Sequence, residues 1–235
     1  MINYKNEIWA FIPARSGSKG IKNKNIKKLK GVPLIGHSIL LANKIKLVKK
    51  IVFSSDSIKY IHIAKKFKCD EYELRSKKVS TSSASEHSVF FEFISRRISQ
   101  NKKVPKYFLH LRPTTPLRNK NTVNRAINKF LKNKNNITSL RTFSEMPNPA
   151  YRSNRIVNGK ICSIIKKDFN MDKYYKPRHF FPKTYFGNGV ADIYKTENIL
   201  KGFLFGNRVC PLVTKDIFND IDDLNDFKYT EFFMK

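Results

Sequence analysis

The chain has 235 residues, 40% of them hydrophobic, three cysteines and a formal net charge of +29. That length supports one substantial core, and a single α/β domain of this size is ordinary. No stretch approaches the roughly 18 to 20 consecutive apolar residues of a membrane span, and MINYKNEIWAF holds no apolar leader with a cleavage site, so a cytoplasmic protein without a membrane partner is expected.

The charge raises nucleic acid as a partner, because clustered Lys and Arg neutralise phosphates. Here the lysines are spread through every segment among many Asn and Ile. That distribution reads as a solvated basic surface attracting small anions, with no specific nucleic acid; a basic nucleic-acid-binding protein is the rival of another class. Cys69, Cys162 and Cys210 lack any paired spacing that suggests zinc or a redox pair, and read as reduced structural thiols.

In chain order, Ile8 to Ile12 reads as a buried strand and Pro33 to Ile45 as a helix with Leu34, Ile35, Ile39, Leu40 and Leu41 on its apolar face. Lys50 to Ser54 gives a strand, and Ser57 to Phe67 a helix with Ser57 as its cap. Ser85 to Ile98 is helical through Val89, Phe90, Phe93 and Ile94. Then come a strand at Tyr107 to Leu111, the loop RPTTPLR, a helix at Thr122 to Leu131 and a strand at Ile137 to Phe143. This alternation predicts an α/β fold with parallel strands and covering helices. Ser144 to Gly187, rich in Pro, Asn, Tyr and Lys, breaks the rhythm and reads as a projecting arm within one 1–235 domain. Strands at Val190 to Tyr194 and Arg208 to Val213 follow, with helices near Glu197 to Leu200 and from about Asp223 to Met234.

Ligands of open parallel sheets collect at the carboxyl ends of strands, where ARSGSKG, FSSD and RPTTPLR all fall. In ARSGSKG the glycines permit close backbone approach, Ser18 and backbone N–H groups can donate to phosphate oxygens, and Arg15 and Lys19 supply charge. It is a phosphate cradle in chemical type, although it matches neither GxxxxGK[ST] nor GxGxxG.

Taken in order, PARSGSKG, KNIKKLKGVPLI, VFSSDS, LRSKKVSTSSAS, RPTTPLR, the PR and NG of the arm, and DIDD resemble the acylneuraminate (CMP-sialic acid) cytidylyltransferase family over about Ile8 to Phe232. The resemblance implies a Rossmann-like nucleotide-diphospho-sugar transferase fold, with a mostly parallel mixed sheet and a projecting dimerisation arm. It also implies transfer of CMP from CTP to a nonulosonate sugar acid, dependence on Mg²⁺ or Mn²⁺, and a homodimer whose arms exchange. A Kdo-like eight-carbon ulosonate is the alternative acceptor. By the same resemblance Arg15, Ser16, Ser18, Lys19, Asn25 and Arg75 bind the nucleotide, Asp220 and Asp222 bind the metal, and Arg15, Lys19 and Asp222 carry the catalysis. Two carboxylates one residue apart on an extended segment project to the same side, which suits a hard cation bridging phosphates. No spacing identifies a general base.

On the sugar side the resemblance places Arg112, Arg178, Asn188 and Asp192. Two of these depart from the family: Arg112 stands where it has glutamine, and Asp192 where it has a substrate-facing tyrosine. Either charge alone would be costly in a pocket, so the two are expected to pair across it and to shift selectivity away from N-acetylneuraminate.

Overall fold

In this computed structural model residues 4–164, 170–174 and 176–234 are described. Strand β1 (Tyr4–Pro13) carries the apolar run Ile8 to Ile12, and all five of those side chains are buried. A run without polar alternation needs cover on both faces, which a central parallel strand receives. Ile8, Ala10 and Ile12 point into one core, while Trp9 and Phe11 point into the other.

The loop after β1 leads to a small hairpin, β2 (Lys28–Leu29) and β3 (Val32–Pro33), and then to α1 (Leu34–Asn43). Strand β4 (Val48–Ser55) pairs parallel with β1, and helix α2 (Ile58–Lys65) follows, its first turn capped by Ser57 as the sequence predicts. Next are β5 (Glu71–Leu74), α3 (Glu86–Ser99), β6 (Val104–His110), α4 (Lys120–Asn133) and β7 (Ser139–Glu145). Segment 146–184 holds a hairpin, β8 (Asn154–Val157) with β9 (Lys160–Ser163), and the short α5 (Met171–Tyr174). Strand β10 (Tyr185–Lys195), α6 (Thr196–Leu200), β11 (Val209–Val213) and α7 (Leu224–Phe233) complete the order.

The main sheet runs β11-β7-β10-β6-β1-β4-β5, and β10 alone is antiparallel to its neighbours. The expected mostly parallel mixed sheet and Rossmann-like fold are therefore present. Helices α1, α2 and α4 cover one face through Ile35, Ile39, Tyr60, Ala64, Ile127 and Phe130. Helices α3 and α6 cover the other, where Phe11 meets Phe90 at 4.4 Å and Phe93 at 5.2 Å between ring centroids. Each such side chain contributes about 1.5–3 kcal/mol on full burial. From β1 the chain moves outward to β4 and β5 and then returns to β6 on the other side. The resulting switch point lies between β1 and β6, and a crevice opens outside their carboxyl ends.

Three sequence expectations are corrected. Strand β5 was not predicted, because EYEL alternates charge at a sheet edge. The arm is shorter at both ends: Ser144 and Glu145 pair with Phe186 and Tyr185, so these residues belong to the sheet. Within the arm, Asn158 and Gly159 both take positive φ, the turn chemistry of a two-residue hairpin, which the irregular reading of that segment passed over.

Candidate active site

The loop from Ala14 to Ile26 leaves β1 at the switch point, and its shape is set by three polar anchors. Ala14 donates its N–H to the Ser54 carbonyl, holding the loop's start against β4. Ser16 donates both its backbone N–H and its hydroxyl to the Asp56 carboxylate, each at 2.8 Å. Asn25 donates its amide to the Arg15 carbonyl at 2.9 Å, and its Oδ1 is buried without a partner. Arg15, Ser18 and Lys19 face the crevice, together with Lys24 and Asn25.

The far side of this loop is closed by the chain's other end. Ile221 is fully buried with Ile21, Leu29, Leu34 and Phe227, and its N–H donates to the Thr114 carbonyl at 2.8 Å. Burying Ile221 leaves Asp220 and Asp222, one residue to either side, exposed. The buried Lys24 ammonium donates to the Ile221 carbonyl and to Asp222 Oδ1 at 3.0 Å. Gly20 lies so close to the Asp222 carbonyl that a Cβ there would overlap the oxygen. Any side chain at position 20 would force the loop and the Asp222 segment apart.

These elements enclose a cavity of about 500 Å³. Arg15, Ser18, Lys19, Asn25, Arg75 and Asp222 line it, joined by Lys24, Glu86, Arg112 and the apolar Val79, Ala84, Val89 and Phe90. Arg75 is held by Ser80, its Nε donating to the hydroxyl at 3.1 Å, and burial lowers its pKa although Asp56 and Glu92 oppose the shift.

At the other end of the cavity lies a buried charge network. Arg112 donates Nε and Nη2 to the two oxygens of Glu86, each at 2.6 Å, and Nη1 to Asp192 Oδ2 at 2.7 Å. Tyr194 donates its hydroxyl to the same Asp192 oxygen at 3.3 Å, and His110 Nδ1 lies 3.3 Å from the Tyr194 oxygen. Burial would raise the Glu86 carboxyl, but in acid a protonated His110, with Arg112, outweighs it and holds it at about 2. Burial, with Arg112 nearby, pushes His110 down to about 3, so the ring is neutral at pH 7 and can donate from Nδ1 to Tyr194. Arg118 fixes the RPTTPLR loop over this network by donating to the carbonyls of Arg112, Gly189 and Val190. Its burial and the repulsion from Arg112 lower its pKa to about 9.

Of the residues expected from sequence, Arg15, Ser18, Lys19, Asn25, Arg75, Arg112 and Asp222 converge on the one cavity. The others are corrected in placement. Ser16 spends both donors on Asp56. Asp192 is completely buried behind Arg112 rather than facing the cavity, although the two do pair. Asn188 is buried, donating to Ser144 and Thr214 and accepting from Val190, a structural assignment. Asp220 is exposed but does not line the cavity. Arg178 lines a separate recess in the arm with Met146, Pro149 and Phe181. Sequence reasoning passed over Lys24, Glu86 and Arg118. Glu86 directly follows the cap Ser85 and is indistinguishable by pattern from an acid placed for the helix dipole.

A phosphate-type loop at a switch point, facing a carboxylate and several cations across one crevice, defines a nucleotide-handling α/β enzyme. The cytidylyltransferase family model matches residues 9–188, and the chain belongs to that family. It is thus a nucleotidyltransferase. Among curated proteins it is similar to post-translational flagellin modification protein B of Campylobacter coli, at 29% identity over 98% of this chain and 96% of the relative. It is also similar to pseudaminic acid cytidylyltransferase of Campylobacter jejuni, at 29% identity over 95% and 94% of the two chains. The solved structure of a CMP:2-keto-3-deoxy-manno-octonic acid synthetase complexed with CTP matches with a TM-score of 0.68, at 11% identity over 97% of this chain and 98% of that one, which speaks for the fold.

Two outcomes follow from this geometry. Gly20→Ala should lower CTP affinity by an order of magnitude or more while the core stays folded, because the obstacle is a backbone carbonyl; calorimetric titration with unchanged affinity would refute the close approach. His110 binds a proton more readily unfolded, near pH 6.5, than folded, near pH 3, so stability falls as pH drops through that window. The loss is on the order of 1 kcal/mol per pH unit. Denaturant midpoints of His110→Gln should be flatter than wild type from about pH 6.5 to 5. Parallel profiles would place the acid lability elsewhere.

Proposed function

We propose that the cavity transfers CMP from CTP to a sialic-acid-like 2-keto sugar acid of the nonulosonate class, releasing pyrophosphate. The observation that carries this is the convergence of Arg15, Ser18, Lys19, Lys24, Arg75 and Asp222 on a single cavity. The sugar's anomeric hydroxyl would attack the α-phosphorus as pyrophosphate leaves in line. Such a reaction is governed by positioning and by neutralising charge on the phosphates. Arg15 and Lys19 would hold the triphosphate, Ser18 would donate to a phosphate oxygen, and Arg75 would border the base.

For the divalent cation, Asp222 would be the ligand at the cavity and Asp220 the second, from just outside its lining. Asp220 and Asp222 offer hard oxygen ligands from one short segment, and no cluster of three or more His, Cys, Asp or Glu ligands occurs among the described residues. Mg²⁺ commonly takes one or two carboxylates and completes its shell with phosphate oxygens and water. When bound it would offset phosphate charge and lower the pKa of a coordinated hydroxyl. Lys24 is placed to balance Asp222 and to follow the phosphates, being both on the loop and 3.0 Å from that carboxylate.

The relative named for pseudaminic acid supports a nonulosonate over the eight-carbon alternative. Among the described residues no helix is long and apolar enough to cross a membrane. Arm residues Ile156, Ile161 and Phe180 are 77%, 50% and 66% exposed. Such a surface suits a homodimer interface, and Arg178, which does not line its own chain's cavity, would reach sugar only in a partner's.

The deciding experiment is pyrophosphate release from CTP and Mg²⁺ across a panel of 2-keto sugar acids. Release is expected with nonulosonates and should fall by orders of magnitude in Asp222→Asn. Normal Mg²⁺-dependent turnover in that variant would remove the metal assignment. Strongly salt-dependent duplex binding without pyrophosphate release would favour the nucleic-acid reading. Light scattering should give a dimer at micromolar concentration; a monomer would contradict the role of the arm.

A further inference from the structure

Arg112 has its Nε–Nη2 fork filled. Its Nε, Nη1 and Nη2 each donate to a carboxylate oxygen, two of them on Glu86 and one on Asp192. A guanidinium held this way cannot turn its Nε–Nη2 face to a substrate carboxylate without losing Glu86. What this end of the cavity presents is the partner. The Glu86 side chain is 43% exposed, against 17% for Arg112 and none for Asp192.

Glu86 is also ionised and fixed. It opens α3, and two of its roughly four lone-pair sites are taken by Arg112, so about two remain for a ligand. Val89 and Phe90, three and four residues further along the same helix, continue the cavity wall as an apolar surface beside it. The arrangement is a carboxylate acceptor at the edge of an apolar wall, aimed by a buried arginine that is itself anchored on a buried aspartate.

We propose that Glu86 is a specificity-determining residue that accepts a hydrogen bond from an N–H or O–H donor of a substrate, with Arg112 and Asp192 as its positioning residues. This rests on reading the cavity as the site for CTP and a sugar acid. The donor chemistry is offered by two sources: the exocyclic amine of cytosine, which carboxylates accept readily, and an amide or hydroxyl of the sugar. In either case a ligand with a carbonyl at that point meets an anion and is rejected.

The test uses the full chain and Glu86→Gln, which keeps the size and removes the charge, with Glu86→Asp as the variant that retains the carboxylate. Calorimetric titration with CTP and with UTP, independent of turnover, reads the first source, since UTP carries a carbonyl in place of the amine. A tenfold or greater fall in the CTP-to-UTP affinity ratio in Glu86→Gln, partly restored in Glu86→Asp, places the donor on the base. An unchanged ratio with a reordered ranking of sugar acids in KM, again partly restored by Glu86→Asp, places it on the sugar. Asp192→Asn should shift the same readout in the same direction through Arg112. If both the nucleotide ratio and the sugar ranking of folded Glu86→Gln stay within twofold of wild type, the proposal is overturned. Wild type that discriminates CTP from UTP yet releases no pyrophosphate with any sugar acid would defeat the proposed function and leave the Glu86 assignment to be judged on the nucleotide ratio alone.

Discussion

A buried lysine joins the two ends of this chain. Lys24 lies on the loop after the first strand, and its ammonium bonds the carbonyl of residue 221 and the carboxylate of residue 222. This clasp sets the loop and the Asp222 segment against each other at the cavity. The loop carries the cations, and the segment before α7 carries the carboxylates. An unpaired buried ammonium would be strongly unfavourable, so the two must close together. Gly20 sets how near they come, and the small apolar cluster of Ile21, Ile221 and Phe227 beneath supplies the non-directional part of the attraction.

The second organising feature is the concentration of charge below Arg112. Three arginines, Arg112, Arg118 and Arg141, face two carboxylates, Glu86 and Asp192. Desolvating so many ions is costly, and the Coulombic return depends on near-complete pairing. Each nitrogen of Arg112 has a carboxylate partner. Asp192 is less fully paired: its Oδ1 lacks a hydrogen bond, with Arg141 Nε 3.7 Å away and likewise without one. A network kept at that cost fixes geometry more than it adds stability, because replacing such ions by packed apolar groups is often neutral or stabilising. Here the geometry fixed is that of the RPTTPLR loop and of the Glu86 carboxylate.

Sequence pattern disclosed the layers well because the strands and helices are strongly periodic. The run Ile8 to Ile12 read as a buried strand, and Ser57 announced its helix as a cap. Edge strand β5 was illegible because it is only four residues long: Tyr72 alone packs on the core, while Glu71 and Glu73 serve ion pairs with Arg97 and Arg96. In the site, residue types on one loop were legible, while contacts between distant segments were not. Lys24 is one of many lysines in the sequence, and only folding shows it to be buried. Arg112 and Asp192 illustrate the boundary: charge complementarity betrayed that they belong together, but depth is not written in composition, and Asp192 proved to stand behind the arginine instead of across a pocket from it.

Depth also resolves an apparent conflict between the surface and the site. A net charge of +29 draws small anions toward the whole molecule without discriminating among them. Discrimination requires fixed groups of the opposite sign, and the cavity contains two, Glu86 and Asp222. Bare, each would repel an approaching anion. Each is instead held by a cation from another segment, Glu86 by Arg112 and Asp222 by Lys24, so the local field is nearly balanced while the carboxylate oxygens keep free acceptor sites. The basic surface can then govern encounter, and the paired carboxylates can govern which molecule stays.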